Sequence, residues 1–172
     1  TYNVGASYEI VPDLVLRSSY ATGFRAPTFN ELYYPGYANP DLEPEKSRGW
    51  DVGVEQEIIG DKLVGEATFF RNDFDNLIDF NFVTSRLQNI GAAKTQGVEL
   101  ALTARPTRDL ALAVNYTYTD TLNEQTNMEL LRRAPHKIGL DVNWRYCPRG
   151  DVTLSGVYYS SRADIDPISF GT

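Results

Sequence analysis

The stretch GVELALTARPTRDLALAVNYTYT, residues 97–119, alternates apolar and polar side chains in two runs on either side of a turn. In the first run Val98, Leu100 and Leu102 flank polar or small neighbours such as Glu99. A period of two places successive side chains on opposite faces of a β-strand, whereas a helix would repeat every 3.6 residues. The intervening RPTRD has the residues typical of a tight turn. The stretch therefore predicts two antiparallel strands, each with one apolar face and one polar face.

The same alternation recurs along the chain and predicts an all-β fold, an antiparallel up-and-down meander of about eight strands. Helical periodicity is not sustained anywhere, although NMELLRRA at residues 127–134 predicts one short helical turn. The predicted strands cover residues 2–10, 14–21, 50–58, 63–69, 97–104, 110–119, 137–146 and 152–160.

Composition narrows the class of protein. The net charge is −7 and the pI is about 4.7, which argues against a nucleic-acid partner because such proteins carry a basic patch or stripe. The lone Cys147 cannot form an intramolecular disulfide, so its role stays open. No run approaches the roughly 18 apolar residues of a membrane-spanning helix, but a membrane-spanning β-strand needs only about 10 alternating residues.

The predicted connections alternate in length. Those containing VPD, GDK, PTRD and CPRGD are short, whereas those following Tyr20, Phe70 and Tyr118 are long. Outer-membrane barrels have this layout, with short turns on the periplasmic side and longer loops outside the cell. The alternation therefore favours a transmembrane β-barrel.

The two faces of the predicted sheet support a membrane barrel over a soluble sheet. Tyr and Trp cluster on the apolar face near strand ends, where an aromatic girdle would meet the membrane boundary. The polar face carries charges throughout, as a water-filled lumen would. The candidates to face that lumen, or a domain inside it, are Arg17, Glu55, Glu66, Glu99, Asp141 and Arg145.

Several blocks of sequence resemble one family. SYATGFRAPTFNELY at residues 19–33 and NPDLEPEKSRGWDVGVE at 39–55 resemble the C-terminal barrel of TonB-dependent outer-membrane receptors. FFRNDFDNLIDF, NIGAAKTQGVEL and LLRRAPHK follow in the order and at the spacing of that family. Within the family, these motifs are most similar to those of cobalamin receptors.

The resemblance implies an energised transporter in the outer membrane of a Gram-negative bacterium, and no enzyme. In such receptors a plug domain fills a barrel of about 22 strands, and the inner-membrane partner TonB drives uptake. The resemblance implies cobalamin or a ferric siderophore as substrate, lipid and lipopolysaccharide as neighbours, and no metal or cofactor. Residues 1–172 show no plug and no closing strand, so we expect a partial barrel. We expect the terminal DPISFGT, residues 166–172, to lie in a loop.

The long insert after the second strand is the candidate ligand-contact region. Tyrosines with scattered hydrogen-bonding groups suit an amphipathic ligand, but they are also suited to packing within the loop or at the membrane boundary. Arg25 would pair with Glu31, Glu43 or Glu45 and pin the base of the loop, or it would simply be solvated. The ligand-contact candidates are Arg25, Tyr33, Tyr34, Tyr37 and Asn39.

Two charged motifs suggest further sites. The basic residues of LLRRAPHK, from Arg132 to Lys137, would suit lipopolysaccharide phosphates at the outer rim, or simply be solvated. Asp73, Asp75 and Asp79 are spaced acids without the glycine and terminal glutamate of an EF-hand calcium loop. We expect Asn72 and Asp73 to form a side-chain turn instead.

Three alternatives to the energised receptor remain open at the level of sequence. They are a passive porin-like barrel, a soluble β-sheet binding module and, least supported, an enzyme, since no catalytic constellation is present. The behaviour of an isolated eight-stranded piece is also open. Its edges would pair with another chain, or it would close as a small barrel.

Overall fold

The computed structural model describes residues 1–164, and this part of the chain forms one open antiparallel sheet. All neighbouring strands pair in chain order from β1 to β8, which confirms the predicted meander. The terminal DPISFGT, residues 166–172, lies outside the described residues. The elements are β1 (Asn3–Val11), β2 (Leu14–Arg25), α1 (Phe29–Tyr33), β3 (Glu45–Glu57), β4 (Leu63–Asn81), β5 (Arg86–Thr107), β6 (Leu110–Asn123), β7 (His136–Cys147) and β8 (Gly150–Tyr159).

The strand register keeps the two faces chemically distinct across the whole sheet. Directly opposed residues share a face, so a row of partners can be followed from β1 to β8. On the apolar face one row runs Tyr8, Leu16, Val54, Ala67, Leu100, Tyr116, Ile138 and Tyr158. On the polar face the adjacent row runs Ser7, Arg17, Gly53, Thr68, Glu99, Thr117, Lys137 and Tyr159.

No second layer covers the apolar face in the described part of the chain. Leu100 is 44% exposed and Leu140 is 41% exposed, although both lie within the alternating pattern of their strands. A soluble sheet buries its apolar face against another layer. Lipid chains would cover the same surface without any protein partner, which is the arrangement of a transmembrane barrel.

The small buried core lies away from this face, at the end of the sheet with the long loops. Within residues 1–164 the buried hydrophobic residues are Leu42, Ile90 and Ala93. Leu42 belongs to the loop of residues 26–44, and the other two belong to β5. All three buried residues therefore belong to the loop end of the sheet.

The strands at the loop end are longer than the sequence pattern predicts. β4 runs to Asn81 and β5 begins at Arg86, so only residues 82–85 connect them. The prediction of a long connection after Phe70 is therefore wrong. The alternation is obscured there because charged side chains, Arg71 and Asp73 among them, occupy the face that is apolar further down the strand.

Two local predictions are also wrong. Asn72 and Asp73 do not form a turn but pair with Thr95 and Lys94 inside the β4–β5 ladder. Residues 127–134 do not form a helical turn: Met128 makes an isolated bridge with Asn123, and turns follow.

The one helix in the described residues is α1, which the periodicity did not reveal because it is a single turn. Its signal is the capping box formed by Thr28 and Glu31. No helix within residues 1–164 is long and apolar enough to cross a membrane.

Candidate ligand site on the polar face

Four of the six candidate lumen residues lie in the middle of the polar face. Arg17 Nη2 and Glu55 Oε2 form an ion pair at 2.7 Å. Glu66 lies directly opposite Glu55, and Glu99 lies opposite Thr68 on the neighbouring strand. Neither Glu66 nor Glu99 forms an ion pair within the described residues, and the two line a shallow cavity of about 240 Å³.

The other two lumen candidates lie towards the short turns. Asp141 accepts a hydrogen bond from the Ser155 hydroxyl at 2.6 Å. Arg145 lies beside the bulge in the β7–β8 pairing and lines a cavity of about 490 Å³ at the turn end. Lys62 and Arg105 line the same cavity, so this end of the polar face is basic.

The loop of residues 26–44 is held at its base by a three-membered ion cluster. Arg25 Nε and Glu45 Oε2 are 2.6 Å apart, and Arg25 Nη1 lies 3.0 Å from Glu31 Oε1. Of the three predicted acidic partners, two are confirmed. Glu43 instead accepts a hydrogen bond from the Asn76 side chain at 2.7 Å.

The cluster lies beyond the aromatic pair Tyr20 and Trp50, outside the part of the sheet that lipid would cover. The hydrogen bond from Arg25 lowers the pKa of Glu45, burial opposes this, and the Ile78 N–H lowers it further. Burial raises the pKa of Glu31, but hydrogen bonds from the Thr28 N–H and from Arg25 outweigh it and the net shift is downward. Both carboxylates therefore hold their charge to lower pH than usual.

Hydrogen bonds then tie the loop to the β4–β5 hairpin. The Asn39 side chain donates to the Leu87 carbonyl at 3.0 Å, and the Leu87 N–H donates to the Tyr37 carbonyl at 2.8 Å. Asn89 donates to the Glu43 carbonyl and accepts from the Glu43 N–H. The loop and the hairpin tip therefore form one unit.

The ligand-contact candidates divide into two groups. Arg25 and Asn39 make the internal bonds just described. Tyr34 stacks on Tyr37 with ring centroids 5.1 Å apart, and Tyr33 packs at the same distance on Phe29. Tyr33 and Tyr34 are nevertheless 59% and 53% exposed, so they offer aromatic surface to a ligand.

A cavity of about 440 Å³ opens on the polar face below the loop of residues 124–135. Its wall includes Phe70 and Phe74 of β4 and Glu99 of β5. Its lining includes four cationic side chains, two from the loop and two from the chain after it: Arg132, Arg133, Lys137 and Arg162. Three of these residues belong to the LLRRAPHK motif, which was predicted to suit lipopolysaccharide phosphates, and no feature of the sequence indicated a cavity.

The LLRRAPHK motif is divided between the two faces. Lys137 points to the cavity on the polar face, whereas His136 shares the apolar face with Tyr116 and Tyr118. His136 Nδ1 and the Tyr116 hydroxyl are 2.8 Å apart. The four basic residues of the motif therefore do not form one surface for lipopolysaccharide phosphates.

The spaced acids of β4 are occupied by other contacts. Asp73 pairs with Arg71 at 2.9 Å, and Asp75 pairs with Arg48 at 3.0 Å. Asp79 accepts from the Phe80 N–H. Within residues 1–164 no group of three or more His, Cys, Asp or Glu side chains is arranged to hold a metal ion.

Comparison with known proteins agrees with this architecture. The family described as "TonB dependent receptor-like, beta-barrel" matches residues 1–170. The siderophore receptor PirA from Pseudomonas aeruginosa is 22% identical with a TM-score of 0.71, over 94% of this chain and 30% of that one.

Two further solved structures have the same fold. The ferric enterobactin receptor PfeA from Pseudomonas aeruginosa, in complex with enterobactin, is 19% identical with a TM-score of 0.75, over 93% of this chain and 28% of that one. The copper transporter OprC is 20% identical with a TM-score of 0.68, over 83% of this chain and 23% of that one. This chain therefore spans less than a third of the length of these proteins.

Proposed function

The chain belongs to the TonB-dependent receptor β-barrel family, and from that premise we propose that it forms part of an energised receptor for a scarce nutrient, a ferric siderophore or cobalamin. The barrels of this family lie in the outer membrane of Gram-negative bacteria. Family members and the similar solved structures are transport receptors. The observation that carries the proposal is the cavity on the polar face, directly beneath the loops at one end of the sheet.

The rest of the barrel and a plug domain complete the receptor in this proposal. Within the described residues, the two edge strands β1 and β8 pair only on their inner sides. They therefore have backbone groups ready to continue the sheet in both directions. TonB would act through the plug.

The middle of the polar face is where we place the contact with the plug. Glu66 and Glu99 lie near each other without a cationic partner in the described part of the chain. Two carboxylates on a wall that water leaves when a domain fills the lumen need compensating positive charge. Arginine or lysine side chains of the plug would supply it.

We place lipopolysaccharide on the opposite face, beyond Tyr20 and Trp50. Arg48, Arg71 and Lys94 project there, each paired with a carboxylate. Guanidinium and ammonium groups at the level of lipid headgroups can share their remaining donors with phosphate oxygens. This surface replaces LLRRAPHK as the proposed lipid contact.

Uptake by the complete receptor tests the proposal. Cells that express it would be given radiolabelled ferric enterobactin, radiolabelled ferrioxamine B or radiolabelled cyanocobalamin, with and without a protonophore. We expect accumulation of at least one compound that stops when the proton gradient is dissipated. Accumulation that continues with the protonophore would indicate a passive porin-like barrel. No accumulation of any of the three would contradict the proposed uptake.

A further inference from the structure

The cavity at the turn end of the polar face, about 490 Å³ in volume, is lined mainly by charged side chains. Four of them are cations and two are carboxylates: Lys62, Arg105, Arg108, Arg145, Asp61 and Asp109. None of the six forms an ion pair within residues 1–164, so a surplus of two positive charges faces one space. Arg17 on the same face is, by contrast, paired with Glu55.

Backbone hydrogen bonds between separate elements bring these cations together. The Arg105 N–H donates to the Lys62 carbonyl at 2.7 Å, which joins β5 to the turn between β3 and β4. The Arg145 N–H donates to the Asp109 carbonyl at 2.8 Å, which joins β7 to the turn between β5 and β6. The positions of the cations are therefore set by the main chain, and their side chains are not used to hold the turns.

Two irregularities in the strand pairing coincide with the arginines of this cavity. After Ala104, β5 has one residue more than its partner β6, and Arg105 lies in this interval. After Trp144, β7 has one residue more than β8, and Arg145 lies in that interval. Bulges of this kind re-aim side chains and are over-represented beside functional sites. Both arginines therefore depart from the regular pleat at the point where they line the cavity.

The cavity faces the lumen and not the lipid. Asn143 and Arg145 of β7 line it, and they alternate with the apolar Val142 and Trp144 on the other face. In outer-membrane barrels the short turns lie on the periplasmic side. The cavity therefore lies at the periplasmic mouth of the lumen, where its occupant comes from inside the barrel.

The sign of the unpaired charge changes along the polar face. Glu66 and Glu99, in its middle, have no ion-pair partner in the described part of the chain, and Arg105 follows Glu99 by six residues in β5. At about 3.3 Å a residue, roughly 20 Å of strand separates the two positions. A domain that fills the lumen displaces water from both, and each then needs charge of the opposite sign.

We propose that the turn-end cavity is the docking site for an acidic segment of the domain that fills the lumen. Arg105 and Arg145 bind carboxylates of that segment, each through the paired N–H donors of a guanidinium group, and Lys62 adds an ammonium group. The inference rests on the proposed function, which places a domain in the lumen, and adds the chemistry of a second contact. Because a shifted domain would set like charges against each other, the two contacts fix its position along the barrel axis.

Zero-length cross-linking in the complete receptor tests this contact. A water-soluble carbodiimide activates a carboxylate, and the Lys62 amine then displaces it as a urea and forms an amide, so only groups in direct contact are joined. We expect mass spectrometry to find Lys62 joined to an Asp or Glu of the lumen domain. Lys62→Arg keeps the positive charge without the reactive amine, and the joined peptide should disappear. Lys46, on the opposite face, is the internal control and should join no residue of that domain.

Hydrogen exchange measures what the arginines contribute. The variant carries Arg105→Gln together with Arg145→Gln, and the control is Arg149→Gln, in the β7–β8 turn outside the cavity. In the double variant we expect exchange of the acidic segment to quicken roughly 10- to 100-fold, with no change in the control. Added salt should quicken this exchange more in the wild type than in the double variant, because salt screens the charges. Circular dichroism and heat-dependent gel mobility check that each protein is folded.

Three results would overturn the inference. Lys62 joined only to Asp61 or Asp109 would show that the cavity neutralises its own charge. Lys62 joined to no carboxylate, or only to that of another protein, would show that the lumen domain does not dock there. A folded double variant whose lumen domain exchanges as in the wild type would remove the two arginines from the contact.

This inference and the proposed function fail separately. If a nutrient accumulates with the proton gradient but Lys62 joins no residue of the lumen domain, the proposed uptake stands and the docking site falls. If Lys62 joins that domain and the double variant loosens the joined segment, but no compound accumulates in cells, the docking site stands and the energised uptake falls.

Discussion

The two long loops at the same end of the sheet, residues 26–44 and residues 124–135, are held in opposite ways. The first is closed by charge: Arg25 is bound by Glu31 and Glu45, and the loop buries Leu42. The second is held chiefly by its main chain, with the Leu130 N–H on Thr121 as its buried bond. Arg25 at the base of the first loop is paired with two carboxylates, whereas Arg133 of the second loop forms no ion pair within residues 1–164.

The difference shows that a loop with recognisable family motifs need not be the loop whose side chains are free to bind a ligand. The first loop has the prolines, the tyrosines and the motifs most similar to the family. Its Arg25 and Asn39 nevertheless make internal bonds that hold the loop in place. The second loop has a plain sequence but brings Arg133 next to a cavity. Tyr33 and Tyr34 stay candidates for ligand contact because their rings remain exposed.

The largest expected effect is on the first loop, from Glu45→Ala in the complete receptor. The change removes two charge-assisted hydrogen bonds to Arg25 and the acceptor of the Ile78 N–H. We expect a loss of about 1.5–2 kcal/mol, near the lower end for such bonds because Arg25 is partly exposed. Hydrogen exchange of residues 26–44 should quicken roughly 10- to 30-fold. The control is Asp75→Ala, which breaks the exposed ion pair between Asp75 and Arg48. An equal effect of this change on residues 26–44 would contradict the role of Glu45 in holding the loop.

Acid should loosen the first loop and spare the second. The pKa values of Glu31 and Glu45 are depressed in the folded protein below their ordinary value of 4.5. Their contribution to stability is therefore complete above that pH and is lost as the pH falls through the depressed values. Limited proteolysis with an acid-active protease should show cleavage within residues 26–44 increasing below pH 4.5.

Glu45→Gln is the variant that isolates this titration. It removes one of the two titrating carboxylates, so the acid-dependent part of the cleavage should shrink. Cleavage that rises equally in both loops would indicate general acid unfolding. It would contradict the attribution of the acid effect to Glu31 and Glu45.

A smaller effect on the second loop is expected from Thr121→Val. The change keeps the shape of the side chain and removes the acceptor of the Leu130 N–H, which costs about 0.5–1.5 kcal/mol. Exchange of the amides in residues 124–135 should quicken by roughly 2- to 12-fold, with residues 26–44 unchanged. Thr119→Val, in the same strand and on the same face, is the control. A change that spreads to the first loop would show that the loops are coupled.

The smallest expected effect comes from Thr28→Ala. Thr28 accepts from the Glu31 N–H and completes the capping box of α1. Loss of such a cap costs about 0.5–1 kcal/mol. Proteolysis near Phe29 and Tyr33 should quicken by roughly 2- to 5-fold. Thr28→Ser keeps the hydroxyl and should behave as the wild type, so a similar loss in Thr28→Ser would exclude the cap as the cause.

The contrast between the loops also marks how far the fold and the site could be predicted from sequence. The meander was predictable because Leu100, Tyr116 and Ile138 recur every second residue, and that period is a property of the extended backbone. The far ends of β4 and β5 were not predictable, because Arg71 and Asp75 interrupt the apolar pattern where the strand leaves the lipid. Helix α1 had only its capping box as a signal.

The polar face shows the same limit for the site. The alternation of side chains along each strand predicted that four residues share one face. The register places them there: Arg17, Glu55, Glu66 and Glu99. That Arg17 pairs with Glu55, while Glu66 and Glu99 find no cation within the described residues, depends on which strands are neighbours. The alternation along a strand cannot predict such ion pairs, because they join residues far apart in the chain.

The sequence by itself determined the strand class, the two chemically different faces and the long loops after β2 and β6, because each depends on neighbours along the chain. It also indicated three acidic residues with which Arg25 could pair, and left a solvated arginine open. Only the tertiary structure decided which acids pair with Arg25, that His136 and Lys137 lie on opposite faces, and that Arg133 and Phe70 line the same cavity. The physical reason is that charge pairing and cavity formation depend on distances in space, and the hydrogen-bonded register of the sheet sets those distances.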